Sequence, residues 1–344
     1  MTQPFDAARI QLAGEAAPLA ENMPDLGARA FSASTTGVLA FRTAGATSGS
    51  RLIWFDRQGK SLSEVGPPAP YADVNLAPDG KTLVVSQRDP QTDTSHTWIV
   101  DLQRQVRSRL NPGDQQDYAP AVSHDGRIVF TVGSSGSTGD LYIRSASGAG
   151  DPELLLKSAN AKHPNDWSAN GRFIIYDDHH PSRRQDLWVL PLAGDRKPIP
   201  FLTTPADEAW AQFSPDDRWV VYSSDESGRR EVYVRDFEPD RVPAVGSARI
   251  TISTAGGDKH RWRPDGREIY CIAPSGKLMA VPVKPGPPFE PGVAVPLFDI
   301  NVAGTYSYDV TADGRFLVNS LSEQESSTSP PITVVMNWQA ALKK

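Results

Sequence analysis

Read as apolar and polar positions, Ser214 to Asp236, "SPDDRWVVYSSDESGRREVYVRD", is a polar turn, an apolar run, a polar loop and a second apolar run. Short β-branched or aromatic runs bounded by turn residues predict strands, and no long stretch of the chain shows helical spacing. The pattern recurs. "LAPDGKTLVVS" begins at Leu76, "VSHDGRIVFT" at Val122, "WSANGRFIIYD" at Trp167, "FSPDDRWVVYS" at Phe213, "WRPDGREIYCI" at Trp262 and "VTADGRFLVNS" at Val310, with a weaker copy, "ASTTGVLAFR", at Ala33. The glycine slot of these seven copies falls at Gly37, Gly80, Gly126, Gly171, Asp217, Gly266 and Gly314, at intervals of 43, 46, 45, 46, 49 and 48 residues. Repeats of about 40–50 residues are the mark of propellers and other arrays.

Within a unit, a first apolar stretch leads into a Pro/Ala-Asp-Gly turn, where Asp caps its own backbone and Gly accepts positive φ. A second strand, a variable loop, a third strand and a more polar fourth follow. The third strands are "RLIWFD" from Arg51, "TWIVD" from Thr97, "DLYIR" from Asp140, "DLWVL" from Asp186, "EVYVRD" from Glu231, "KLMAVPV" from Lys277 and "ITVVMNW" from Ile332. Fourth strands include "PELLLK" from Pro152 and "KPIPFLT" from Lys197. The expectation is an all-β chain forming one domain over 1–344, a seven-bladed β-propeller of four-stranded antiparallel blades. The last unit stops after its third strand, so Gly14 to Asn22, similar in composition to the other fourth strands, is expected to close the ring and hide its edges. The first twenty residues also resemble "LMAVPVKPGPPFEPGVAVPLF" of the sixth unit, as a cut inside a longer array would produce.

Composition narrows the function classes. In 344 residues, 39% hydrophobic and 22% charged positions supply a packed core, and 30 prolines with 27 glycines serve many tight turns. A net charge of −6 with both signs mixed argues against nucleic acid as the partner, because phosphate binding needs a concentrated cationic face. Neither an export signal nor a membrane span is expected from the apolar runs. The one cysteine, Cys271, sits in an apolar run and reads as a buried small hydrophobe.

"WSANGRFIIYDDHHPSRRQDLWVLPLAGDRKPIPFLTT", "FSPDDRWVVYSSDESGRREVYVRDF" and "PITVVMNWQAALKK" resemble the WD40-like (PD40, TolB-like) propeller region that follows the kinase and membrane segment in bacterial eukaryotic-type serine/threonine kinases. The resemblance covers the whole chain and implies a propeller, an extracytoplasmic location, a sensing or partner-binding role and an upstream kinase in full-length relatives. Kinase motifs are absent from these residues: no glycine-rich nucleotide loop, no His-Arg-Asp and no Asp-Phe-Gly.

Candidate chemistry is therefore sought on the scaffold. Asp-Gly turns share one face; the strand-one starts and the loops between second and third strands share the other, which is the expected binding surface. Five residues before each slot, on the innermost strand, stand Ser32, Asn75, Ala121, Asp166, Gln212, Arg261 and Asp309, the wall of a polar tunnel. Asp73, His163, Trp210, His260 and Tyr308 are expected beside its mouth. The six histidines form no His-Glu-x-x-His and no His-x-His, so neither a metal cage nor a cofactor is expected. Arg183-Arg184 and Arg229-Arg230 fall on equivalent loops, where a basic patch for carboxylates is an option beside plain solvation. Trp54, Trp98, Trp188 and Trp219 read as core, and no Gly-x-Ser-x-Gly elbow exists. The expected function is a non-catalytic binding or sensor propeller for a protein, peptide or carbohydrate. The alternative is a polysaccharide lyase acting on uronic acids, with His260, Arg261, Tyr308 and His163 supplying base and charge neutraliser.

Overall fold

The computed structural model describes residues 5–6, 11–12, 31–34, 36, 38–42, 49–134, 138–180, 184–284, 286–321 and 332–336. Every regular element among them is a strand, and no helix is long and apolar enough to cross a membrane. The chain, expected as one domain, groups into two compact units: Met1–Ser48 with Ser322–Lys344, and Gly49–Leu321.

In the larger unit, antiparallel meanders follow one another, with first strands Tyr71–Leu76, Asp117–Val122, Ala161–Trp167, Ala209–Phe213 and Asp258–Trp262. Each first strand pairs with the strand after the Asp-Gly turn, and the third and fourth strands follow outward in chain order. In the fifth sheet the third strand, Lys277–Lys284, also carries the short strand Glu290–Pro291 beside Val295–Asp299. The turns behave as their residues require. Gly80 adopts φ 64° with open space around it, and Asp217, the one non-glycine slot, adopts φ 57°. Its carboxylate accepts the Ala169 and Asn170 N–H groups of the preceding sheet's turn at 2.6 and 2.8 Å, which offsets the strain of a side chain in the left-handed region.

The sixth sheet joins the two ends of this unit: Tyr308–Val310 and Phe316–Ser320 pair onward with Ser50–Phe55 and Ser61–Ala69. Apolar side chains fill the gap between each sheet and the next. Val84 meets Phe130, Leu141 meets Ile174, Leu187 meets Val220, Val234 meets Ile269, and Tyr270 meets Phe316 within their respective clusters. The last gap returns to the start, where Leu52, Trp54 and Leu317 pack with Val74, Leu83 and Val85 of the first sheet. Full burial of each such side chain contributes about 1.5–3 kcal/mol. Backbone bonds tie the same junction: Val74 N–H donates to Tyr306 O and Thr305 N–H to Ala72 O, each at 2.9 Å.

This closure exchanges two expected partners. The repeat pattern makes "RLIWF" the continuation of the Val38–Arg42 hairpin, and the strand from Ile332 the continuation of Phe316–Ser320. Instead Ser50–Phe55 pairs with Phe316–Ser320, while Ile332–Met336 pairs with Val38–Arg42 in a three-stranded sheet of the smaller unit, completed by Phe31–Ala33. Burial gives the reason. Leu52 and Trp54 are 2% and 8% exposed in their sheet, whereas Val334 and Met336 remain 55% and 70% exposed. The expected clasp Gly14 to Asn22 and the slot Gly37 lie outside the described residues.

Candidate functional site

The innermost strands carry the polar ring expected from the sequence, and its side chains reach sideways to the next sheet. Asp166 Oδ2 accepts Phe213 N–H at 2.8 Å, Gln212 Oε1 accepts Trp262 N–H at 2.8 Å, and Asp309 Oδ2 accepts Leu76 N–H at 2.7 Å. Each acceptor sits five residues before its slot, and each donor is the residue after the equivalent position one sheet onward. Asn165, which the spacing rule does not single out, does the same with Ala211 N–H at 2.8 Å. Asn319 Nδ2 donates to Tyr71 O at 2.9 Å across the closing junction and to Ala303 O, beside its own strand, at 3.0 Å. These acceptors satisfy backbone groups that a strand edge would leave unpaired.

Above this ring, on the turn face, lies a cavity of about 610 Å³, within the range of about 300–1,000 Å³ usual for small-molecule sites. Asn75, Asp166, Gln212, Arg261 and Asp309 line its depth, and turn residues such as Pro78, His124 and Ala312 line its rim. Arg261 is 6% exposed; its Nη1 donates to His260 O at 3.1 Å and its Nε lies 3.8 Å from Asp309 Oδ1. Burial pushes the Asp166 carboxyl up to about 7, against the pull of the Trp167 and Phe213 N–H groups and of Arg261. Burial raises Asp309 too, opposed by Arg261. The floor thus presents a cation between two carboxyls, flanked by amides.

The opposite face, where the first strands start and where binding was expected, has its centre filled. The first strands shift register between Tyr118 and Ala121, Ala209 and Gln212, and Asp258 and Arg261, and Ala119, Trp210 and Lys259 adopt φ of 50°, 59° and 50°. Such bulges re-aim side chains. Trp210 lies under both Arg230 and Lys259, at 4.9 and 5.6 Å from the ring centroid, and Arg261 stacks on Tyr306 at 4.9 Å. Lys259 Nζ donates to Gly304 O, Thr305 O and Ser307 Oγ. The crevice left between Trp210, Arg261 and Tyr308 has no room for a ligand.

Of the expected mouth residues, Asp73 is 6% exposed and raised by burial. Tyr308 is 1% exposed within an apolar cluster. His260 is 0% exposed, its Nδ1 3.2 Å from Ser223 Oγ, and burial drives it down to about 3, so it stays neutral. The ten expected ligand contacts therefore separate: five face the cavity and the rest pack on the other side of the ring or within it. The loop arginines pair within the chain, Arg184 with Asp225, Arg229 with Glu231 and Arg230 with Asp207, while the Arg184 and Arg229 side chains stay 58% and 59% exposed; Arg183 lies outside the described residues. Cys271 is buried and its thiol pushed up to about 12 by burial. Trp54 is buried and Trp98, Trp188 and Trp219 pack against apolar clusters, as core residues should.

His163 faces the second strand of its own sheet. Asp177 stands opposite it across the Ala161–Trp167 and Phe173–His179 pair, and His179 follows two residues later on the same face. The potential ligand atoms of His163, Asp177 and His179 all lie within 4.8 Å of one another. Burial lowers His163 to about 3 and raises Asp177 to about 8. No His-x-His spacing announces this group, because its members come from two strands; the signal was the Asp177-x-His179 alternation on one strand face.

No protein-family model and no curated protein matches the chain. Among solved structures, a TolB protein from Agrobacterium tumefaciens superposes with TM-score 0.62 at 15% identity, over 79% of this chain and 97% of its own. TolB from Acinetobacter baumannii gives 0.55 at 12%, over 82% and 65%. Oligogalacturonate lyase, solved in complex with manganese, gives 0.54 at 12%, over 86% and 96%. At these identities the likeness is one of fold, and with the meandering sheets and their apolar interfaces it makes this chain a β-propeller.

Proposed function

We propose that the Gly49–Leu321 unit is a non-catalytic binding propeller, a ring of six blades, whose ligand enters the turn-face cavity and reaches Arg261, Asp166 and Asp309. The observation that carries this reading is the cavity of about 610 Å³ with a charge-balanced, amide-flanked floor. A cation set between carboxyls suits a ligand offering donors and acceptors together, such as a peptide segment or an oligosaccharide. The TolB-like fold supports a binding or scaffold role. A sensor role beside a kinase rests on the sequence resemblance alone.

The lyase alternative is supported by the fold likeness to oligogalacturonate lyase. It is weakened by the burial of His260 and Tyr308, 0% and 1% exposed, which keeps its assigned base and partner from a polysaccharide. The test is a thermal-shift screen of peptides and oligosaccharides, uronates included, repeated in Ala312→Trp, which fills the rim of the cavity, and in Trp210→Ala, which opens the opposite face. The proposal expects stabilisation by a hit to disappear in Ala312→Trp and persist in Trp210→Ala. The reverse pattern, or release of unsaturated ends absorbing in the ultraviolet, would overturn it.

A further inference from the structure

The third sheet carries a second constellation, away from the cavity. His163 on the Ala161–Trp167 strand, and Asp177 and His179 on Phe173–His179, each bring a potential donor atom within 4.8 Å of the others. The two imidazoles stand with ring centroids 4.1 Å apart, tilted 49°. Three of these atoms, His163 Nε2, Asp177 Oδ1 and His179 Nε2, are buried without any hydrogen-bond partner, and Asp177 is only 2% exposed. Buried polar atoms are almost always paired, so three orphans on residues this close together call for a shared partner.

Chemistry narrows that partner. Two imidazole nitrogens and one carboxylate oxygen form a donor set suited to a divalent first-row transition ion, zinc above all, and ill suited to calcium or magnesium, which prefer oxygen alone. Neighbouring residues already hold the ligands in position. Gln185 Nε2 stands 3.4 Å from His179 Nδ1, and turning that amide over lets Nδ1–H donate to it, which frees Nε2 for a metal. Asn165 Nδ2 donates to the His163 carbonyl at 2.9 Å, and the Tyr118 ring meets the His163 ring edge-on at 5.4 Å. The nearby cations are engaged elsewhere: Lys162 with Asp178 at 2.5 Å and Arg230 with Asp207. Neither cation forms an ion pair with Asp177, although Arg230 lies near enough to act on its charge.

We propose that His163, Asp177 and His179 form a binding site for one divalent transition-metal ion, which pins the first two strands of the third sheet together. Three protein donors leave a coordination position for water or for a donor from a partner.

The experiment uses the full chain, stripped with EDTA and dialysed. Zinc is titrated by calorimetry, and cobalt is followed by its visible absorption, a readout of nitrogen and oxygen coordination independent of any activity. The expected result is one equivalent bound, a rise in Tm with zinc, and cobalt bands in the visible. Asp177→Asn and His179→Gln, close in shape to the native residues, should weaken binding by roughly tenfold or more, with Tm in EDTA showing that they fold; His180→Ala should bind as the native chain does. Binding below one equivalent in the native chain, or equal binding and equal Tm rise in all variants, would overturn the proposal.

Discussion

Asp166→Asn offers a prediction whose sign is unusual for a buried carboxylate in a charged ring. The folded protein holds a proton on Asp166 up to about pH 7, because burial outweighs the help of the Trp167 and Phe213 N–H groups and of Arg261, and Asp309 adds repulsion. In the unfolded chain the same group releases its proton near its ordinary value of 3.8. Between those values the folded state binds more protons, so stability falls as pH rises from about 4 through about 7 and then levels off. Three units at about 1.4 kcal/mol each set a ceiling of roughly 4 kcal/mol. Coupling to Arg261 and Asp309 and water in the cavity reduce this, leaving about 2 kcal/mol. Asparagine cannot ionise, and its Oδ1 still accepts Phe213 N–H, the bond Asp166 makes at 2.8 Å. Urea unfolding of both proteins at about pH 4.5 and about pH 8 should show the variant gaining about 2 kcal/mol on the native chain between the two conditions. An unchanged difference, or a variant that loses ground at the higher pH, would refute the assignment of a protonated carboxyl at the cavity floor.

Two further outcomes follow from the packing. Gln212→Ala removes the acceptor of Trp262 N–H and should cost about 1 kcal/mol in urea unfolding, at the low end for an orphaned buried donor because water in the cavity can replace it; a loss under a few tenths would show the bond to be incidental. Trp54→Ala empties a side chain 8% exposed in the cluster that closes the ring, and should cost about 3–5 kcal/mol; a loss below about 1 kcal/mol would mean that the sixth sheet does not depend on it.

Much of this fold is written locally. The Asp-Gly turns and the alternation of "KTLVVS" or "RFIIYD" depend on neighbours in sequence, so the repeat and its strand order are readable. The closing partners are not, because "RLIWF" and "ITVVM" are equivalent as patterns, and which one meets Phe316–Ser320 depends on contacts distant in sequence. Position five before the slot identified Asp166, Gln212 and Asp309 as facing the axis, but not that their side chains bend to the next sheet's N–H groups. The packing at the centre of the strand-start face was hidden for a related reason. Nothing in the propensities of Ala119, Trp210 or Lys259 announces a left-handed backbone, and those bulges fill the expected mouth. The His163, Asp177 and His179 group needed the strand register, which no spacing rule within one segment supplies.

The cavity, its floor and the proposed ligand all depend on which strand completes the sixth sheet. Register sets Ser320 opposite Arg51, so cysteines at these positions stand within disulfide reach, and native Cys271, 2% exposed, does not compete. The most direct measurement is the oxidation of the double variant Arg51→Cys/Ser320→Cys, read by peptide mapping in a mass spectrometer. The account predicts an intramolecular disulfide between the two introduced cysteines when the folded protein is oxidised, and none when oxidation is carried out in urea. If the folded double variant keeps both introduced thiols free on oxidation, or forms the bond equally in urea, the account is contradicted.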